Sequence, residues 1–175
     1  GGSDFRHLAS LAGPAGARSP VHLIGTALGD WLKAADPRSK VFTASAKDRS
    51  AVMLGGQDPD GAYWYDSWTG SWRSSSYYTR AGLPWLATFH EQNRPDELFG
   101  SFWTPLDGIE VGEEYGLRVL DTGVLDLAGP HALGGMELQP GPEFYDALYD
   151  TPFVDAYLAE FVRALVREEG LGADG

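Results

Sequence analysis

SKVFTASAKDRSAVMLGGQDPDGAYWYDSWTGSWRSSSYY, Ser39 to Tyr78, is the stretch whose reading decides the fold. Its first part, Lys40 to Ala46, is a short bounded run in which Val41, Phe42 and Thr43 favour extended backbone. The run stops at Lys47-Asp48-Arg49. Asp48 reads as the cap of a short helix through Leu54, which Gly55-Gly56 ends. Two Tyr/Trp-rich runs follow, Ala62 to Asp66 and Ser71 to Tyr77, joined by Ser67-Trp68-Thr69-Gly70. They read as a hairpin with Gly70 in the positive-φ position. Lys47 and Arg49 then fall just past the C-terminal end of a strand expected to be buried. Open α/β sheets bind their ligands at such ends.

Upstream, Gly1 to Ala17 is rich in Gly, Ala and Ser and reads as loop or extended chain. Ser19-Pro20 reads as a helix start, with Ser as cap and Pro in the first position. Leu23, Ile24, Ala27, Leu28, Trp31 and Leu32 recur at helical spacing, which predicts one buried face; Asp36-Pro37 ends that helix. Downstream, Pro84 to Asn93 reads as a helix with Trp85, Leu86 and Phe89 inward, stopped by Arg94-Pro95. Gly100 to Gly141 is irregular and rich in Gly and Pro, with acids at Asp107, Glu110, Glu113, Glu114, Asp121 and Asp126. It reads as loops and short strands such as Ser101 to Trp103. A stretch of this length inside a compact domain predicts a cap or insertion over 100–141.

Glu143 to Tyr149 predicts a short helix. The last helix is the clearest, with Thr151 as cap, Pro152 first, and an apolar stripe of Phe153, Val154, Tyr157, Leu158, Phe161, Val162, Leu165 and Val166. Gly170 stops it. Helices alternating with strands set the class as α/β. The strands are too few to complete such a sheet, and both ends of the chain read as cut. Residues 1–175 are therefore expected to form one partial domain, an internal segment of a larger one.

Composition excludes several partners. The chain has 175 residues, 43% hydrophobic and 22% charged, enough for one domain with a real core. No apolar run reaches membrane-spanning length. A formal net charge of -12 argues against duplex nucleic acid, and it makes a local cation cluster necessary for any anionic ligand. Cysteine is absent, which removes disulfides and thiolate metal sites.

Few residues could carry chemistry. Lys47 offers a point charge and Arg49 a planar fork of donors, and two cations two residues apart can converge on one anion. Spacing alone favours a solvated turn with Asp48 capping a helix. None of His7, His22, His90 and His131 pairs with a second ligand at a recognisable metal spacing, and His90-Glu91 fits a surface helix step. The aromatic set Tyr63, Trp64, Tyr65, Trp68, Trp72, Tyr77 and Tyr78 suits a packed hairpin more than a stacking platform for sugars or bases. The acids from Asp107 to Asp126 lack a calcium-loop pattern and suit a solvated surface.

As an ordered set the chain resembles the alkaline phosphatase superfamily, in the branch of type I phosphodiesterases and nucleotide pyrophosphatases, and within it the periplasmic-type bacterial alkaline phosphatases. The residues that carry this are Thr26-Ala27-Leu28-Gly29-Asp30, Ser39-Lys40-Val41, Lys47-Asp48-Arg49, Gly55-Gly56, Ala62-Tyr63-Trp64-Tyr65-Asp66, Thr69-Gly70, Ser74-Ser75-Ser76-Tyr77-Tyr78, Leu83-Pro84-Trp85 and Thr151-Pro152-Phe153.

The resemblance implies part of an α/β/α sandwich with an aromatic β-hairpin and an irregular cap or insertion. It implies a phosphate-ester hydrolase with two zinc ions, a small phosphate-ester substrate, and a periplasmic or secreted location. It implies that Lys47 and Arg49 contact the phosphoryl oxygens, which suits a dianionic monoester. The family's nucleophile and metal ligands fall outside this chain, so the isolated chain is expected to hold no metal site and to be inactive. The alternatives are a phosphodiesterase or pyrophosphatase of the same superfamily, or a non-catalytic carbohydrate-binding module using the aromatic hairpin.

Overall fold

The computed structural model describes residues 18–78, 83–104, 117–120, 123–126, 131–134 and 138–173. The sequence readings for Gly1 to Ala17, His7 and the acids from Asp107 to Asp121 lie outside these residues. So do the side chains of Asp126 and His131.

A three-stranded sheet organises the body. Strands β1 (Phe42–Ser45), β2 (Gly61–Asp66) and β3 (Ser71–Arg73) lie in that order. β1 runs parallel to β2, with Ser45 opposite Trp64. β3 runs antiparallel to β2, with Trp72 opposite Tyr65 and Arg73 opposite Trp64. Every residue of β2 is buried. Side chains alternate across a strand, so Ala62 and Trp64 meet Ala51 and Val52 on one face. Tyr63 and Tyr65 meet the larger core on the other. Two-sided burial explains why this strand shows no polar alternation.

Helices cover both faces. On one lie α1 (Leu28–Ala35) and α2 (Asp48–Gly55). On the other lie α3 (Pro84–Gln92), α4 (Pro142–Tyr149) and α5 (Pro152–Glu168). Phe161 of α5 is the hub of the larger core. Its ring stacks on Trp72 with centroids 4.8 Å apart and meets Tyr63 and Phe89 at 5.4 Å. Thr151 caps α5 by accepting the Phe153 N–H at 3.3 Å. The architecture is mixed α/β, as the sequence predicts.

Several elements differ from their sequence reading. The first helix is two pieces, a 3-10 turn at Pro20–His22 and then α1. Gly25 sits between them at φ +114, where right-handed helix cannot continue. The face expected to be buried is open: Ile24 is 99% exposed and Trp31 61%. α1 docks through Gly29 instead. A Cβ there would lie 2.6 Å from the Gly55 carbonyl oxygen and 2.7 Å from Val41 Cγ1. The Asp30 carboxylate accepts the N–H groups of Ala27 and Gln57, both at 2.8 Å, tying the start of α1 to the end of α2. Asp48 is the first residue of α2 and not its cap; Lys47 holds the cap position. On α5 the outer edge of the predicted stripe is wet, with Val162 37% and Val166 41% exposed, while Ala164 is buried.

β3 ends earlier than the predicted run to Tyr77, because Ser74 and Ser75 turn their hydroxyls onto the carbonyls of Ala62 and Arg18 at 2.8 and 2.6 Å. In the irregular region β4 (Phe102–Trp103) pairs with β7 (His131–Ala132), and β5 (Leu117–Leu120) pairs with β6 (Gly123–Asp126). Leu133, just past β7, is fully buried in the larger core and anchors that end of the region.

Candidate functional site

Lys47 lies two residues beyond Ser45, at the N-terminus of α2. Its backbone N–H donates to Ser45 Oγ at 3.2 Å, which turns the chain from strand into helix. Arg49 follows within the first turn. Both side chains are exposed. Neither makes a hydrogen bond or ion pair with a described residue. The acid between them is occupied: Asp48 accepts the Arg49 backbone N–H at 2.7 Å, and its other oxygen is held by the Arg18 guanidinium. Two free cations therefore stand beside helix N–H groups, which carry positive partial charge of their own.

Tyr149 borders this edge. Burial pushes its phenol up, Asp150 and Asp48 push it further, and Arg49 opposes them. Asp150 is itself raised, chiefly by burial and then by Asp146. The edge is thus cationic at its centre with acids at its margin.

A second polar group lies behind the same edge and was not singled out from sequence. Asp66 and Arg73 are 7% and 5% exposed. Asp66 pins the hairpin turn, accepting Thr69 Oγ1 at 2.5 Å and the Trp68 N–H at 3.4 Å, while its carbonyl accepts the Gly70 N–H at 2.8 Å. Arg73 Nη2 approaches Asp66 Oδ2 to 2.9 Å. The approach is too poorly aligned to count as a hydrogen bond, and the guanidinium nitrogens have no other acceptor among the described residues. The available signal was no more than a cation, Arg73, and an acid, Asp66, within an aromatic-rich hairpin.

His90 is half-buried and is not the surface step its neighbours suggested. Its Nε2 accepts the Trp72 backbone N–H at 3.1 Å. Accepting at Nε2 leaves the ring proton on Nδ1, and burial holds the pKa below the usual histidine value. His22 is exposed in the 3-10 turn. Among the described residues no three His, Asp or Glu side chains converge to hold a metal ion. Nor is any helix among them long and apolar enough to cross a membrane. The aromatic strand residues Tyr63, Trp64, Tyr65 and Trp72 are buried, which suits packing; Trp68 at the hairpin tip is 60% exposed.

A groove of about 1230 Å3 runs along the free edge of β1 between Leu28, Leu32, Leu54 and Val162 and is not lined by Lys47 or Arg49.

A small sheet covered by helices on both faces, with free cations past the end of its parallel strand, defines an α/β protein with a cationic sheet edge. No family model matches the chain. It is 32% identical over 166 residues to alkaline phosphatase PhoV of Synechococcus elongatus, a match covering 91% of this chain and 30% of that protein. It is 37% identical over 92 residues to alkaline phosphatase PafA of Elizabethkingia meningoseptica, covering 52% of this chain and 17% of that protein. A Myroides odoratus protein named calcium-transporting ATPase aligns at 27% identity over 91% of this chain and 30% of its own length. A crystal structure of an alkaline phosphatase PafA variant shares the fold, with TM-score 0.68 at 22% identity over 95% of this chain and 33% of that one. Over 91% of its length the chain is thus similar in sequence to an alkaline phosphatase, and it shares the fold of another. It spans about 30% of the length of PhoV.

Proposed function

We propose that the protein hydrolyses small phosphate monoesters and that Lys47 and Arg49 bind the non-bridging phosphoryl oxygens. The observation that carries this is the pair itself: exposed, without a counter-ion among the described residues, and beyond the end of β1, with Asp48 already held by Arg18. A monoester brings a dianionic group, which two cations and a helix N-terminus suit better than a diester monoanion. The PafA variant noted above carries alanine in place of a lysine and an arginine two positions apart, together with a Thr-to-Ser and an Asn-to-Ala change. The same Lys-x-Arg spacing recurs here.

Two zinc ions are what the superfamily resemblance implies. The described residues do not fit a metal centre. What this chain supplies is charge: a fork from Arg49 and a point charge from Lys47, placed where negative charge spreads over the transferring phosphoryl group. A periplasmic or secreted location belongs to the same reading, and cell fractionation checks it.

The test is kinetic, on the complete protein. Lys47→Ala and Arg49→Ala should each lower kcat/KM for a monoester on the order of 10²-fold. Diester hydrolysis should fall less. A larger loss on the diester would favour the phosphodiesterase alternative. Unchanged rates for both variants would remove the pair from the site.

A further inference from the structure

We infer that Trp68 stacks on the leaving group of the substrate, so that the site discriminates in favour of phosphate monoesters bearing a planar ring. This rests on the reading of Lys47 and Arg49 as the phosphoryl-binding pair.

Position comes first. Ser45 and Trp64 are opposite one another in the parallel ladder. Lys47 is two residues past Ser45, and Trp68 is four past Trp64. Both leave the sheet at the same edge, on neighbouring strands. Strands lie about 4.8 Å apart and rise about 3.3 Å per residue, so the two backbones emerge on the order of 10 Å apart. A phosphoryl group and a ring carried on its ester span a gap of that order.

Exposure comes second. The aromatics within the strands, Tyr63, Trp64, Tyr65 and Trp72, are all buried. Trp68 alone of the hairpin's tryptophans stays in water, at 60% exposure. An indole left out of a neighbouring core forgoes substantial hydrophobic stabilisation.

Order comes third. The turn that presents Trp68 is held at Trp68, Thr69 and Gly70. Asp66 accepts from the backbone of Trp68, from the Thr69 hydroxyl and, through its carbonyl, from the Gly70 N–H. Gly70, at φ +67, packs against the Tyr145 ring with no room for a Cβ. Asp66 is itself held in place beside the buried Arg73. A tip already ordered loses little freedom when a ring stacks on it.

The experiment compares phenyl phosphate and adenosine monophosphate with ethyl phosphate in the complete protein. In Trp68→Ala the ratio of KM for either ring ester to KM for ethyl phosphate should rise on the order of tenfold. Trp68→Phe should restore most of the discrimination, because a phenyl ring also stacks. A ratio unchanged in Trp68→Ala, in a protein that Lys47→Ala cripples, overturns the stacking role and leaves the phosphoryl pair standing. If Lys47→Ala and Arg49→Ala leave all three rates unchanged, the phosphoryl reading fails and the stacking role falls with it.

Discussion

Arg73 and Asp66 form a buried ion pair across the β2–β3 hairpin, with Nη2 2.9 Å from Oδ2 and side chains only 5% and 8% exposed. The carboxylate is well served, with the turn donating to it from Trp68 and Thr69. The guanidinium is not: beyond its ion pair with Asp66, none of its nitrogens finds a hydrogen-bond acceptor among the described residues. Removing the acid strands a charge in the interior, whereas replacing both partners does not. Asp66→Ala should therefore cost about 3–5 kcal/mol. The double change Asp66→Leu with Arg73→Met should cost less than Asp66→Ala alone. Urea unfolding of the three proteins decides it; a double variant weaker than the single would show that the pair stabilises outright.

His90 gives the fold a pH dependence with a definite sign. Its folded pKa lies below the ordinary 6.5 because burial disfavours the charged ring. The folded state thus binds fewer protons than the unfolded chain below about pH 6.5, and stability must fall as pH drops through that window. Above about pH 6.5 the contribution is flat. His90→Gln retains an acceptor for the Trp72 N–H but does not titrate. It should flatten the loss of thermal stability between about pH 6.5 and pH 5. An equally steep loss in the variant would assign it to other groups.

Phe161 and Val162 are neighbours on α5 with opposite fates. Phe161 is fully buried at the centre of the aromatic core, and Val162 is 37% exposed. Phe161→Ala should cost about 3–5 kcal/mol through lost transfer energy and a cavity. Val162→Ala should stay within about 1 kcal/mol. Denaturant titration separates the two. Equal losses would mean that something covers Val162 in solution.

The α1–α2 contact should behave as one unit. Gly29→Ala places a Cβ against the Gly55 carbonyl, and Gly56→Ala places one against the Asp30 carboxylate at φ +81. Each should cost about 1–3 kcal/mol. The double variant should fall short of the sum, because the first change already unseats the contact that the second would strain. Additive losses would place the two strains at separate contacts.

Much of the fold was legible along the chain. The break at Gly55-Gly56, the turn at Gly70 and the start at Thr151-Pro152 are local statements about φ, capping and missing donors, and each element falls where those residues put it. Lys47 and Arg49 were legible as cations after a strand, though sequence could not say whether a counter-ion waits nearby. Asp66–Arg73 was invisible for the same reason. Whether Arg73 is a solvated surface cation or a buried one depends on which face of β3 meets the body.

The sequence by itself determined the order and type of the elements, because helix ends and turns are set within a few residues by backbone sterics and hydrogen bonding. Only the tertiary structure decided which apolar faces are buried. The helical stripe through Leu28 and Trp31 has the periodicity of a core face yet stays open, since α1 meets α2 through Gly29. Tyr65 is buried because its hydroxyl finds the Tyr145 carbonyl at 3.0 Å, 80 residues along the chain. Burial is a property of which surfaces meet, and periodicity states only that a helix has an apolar side.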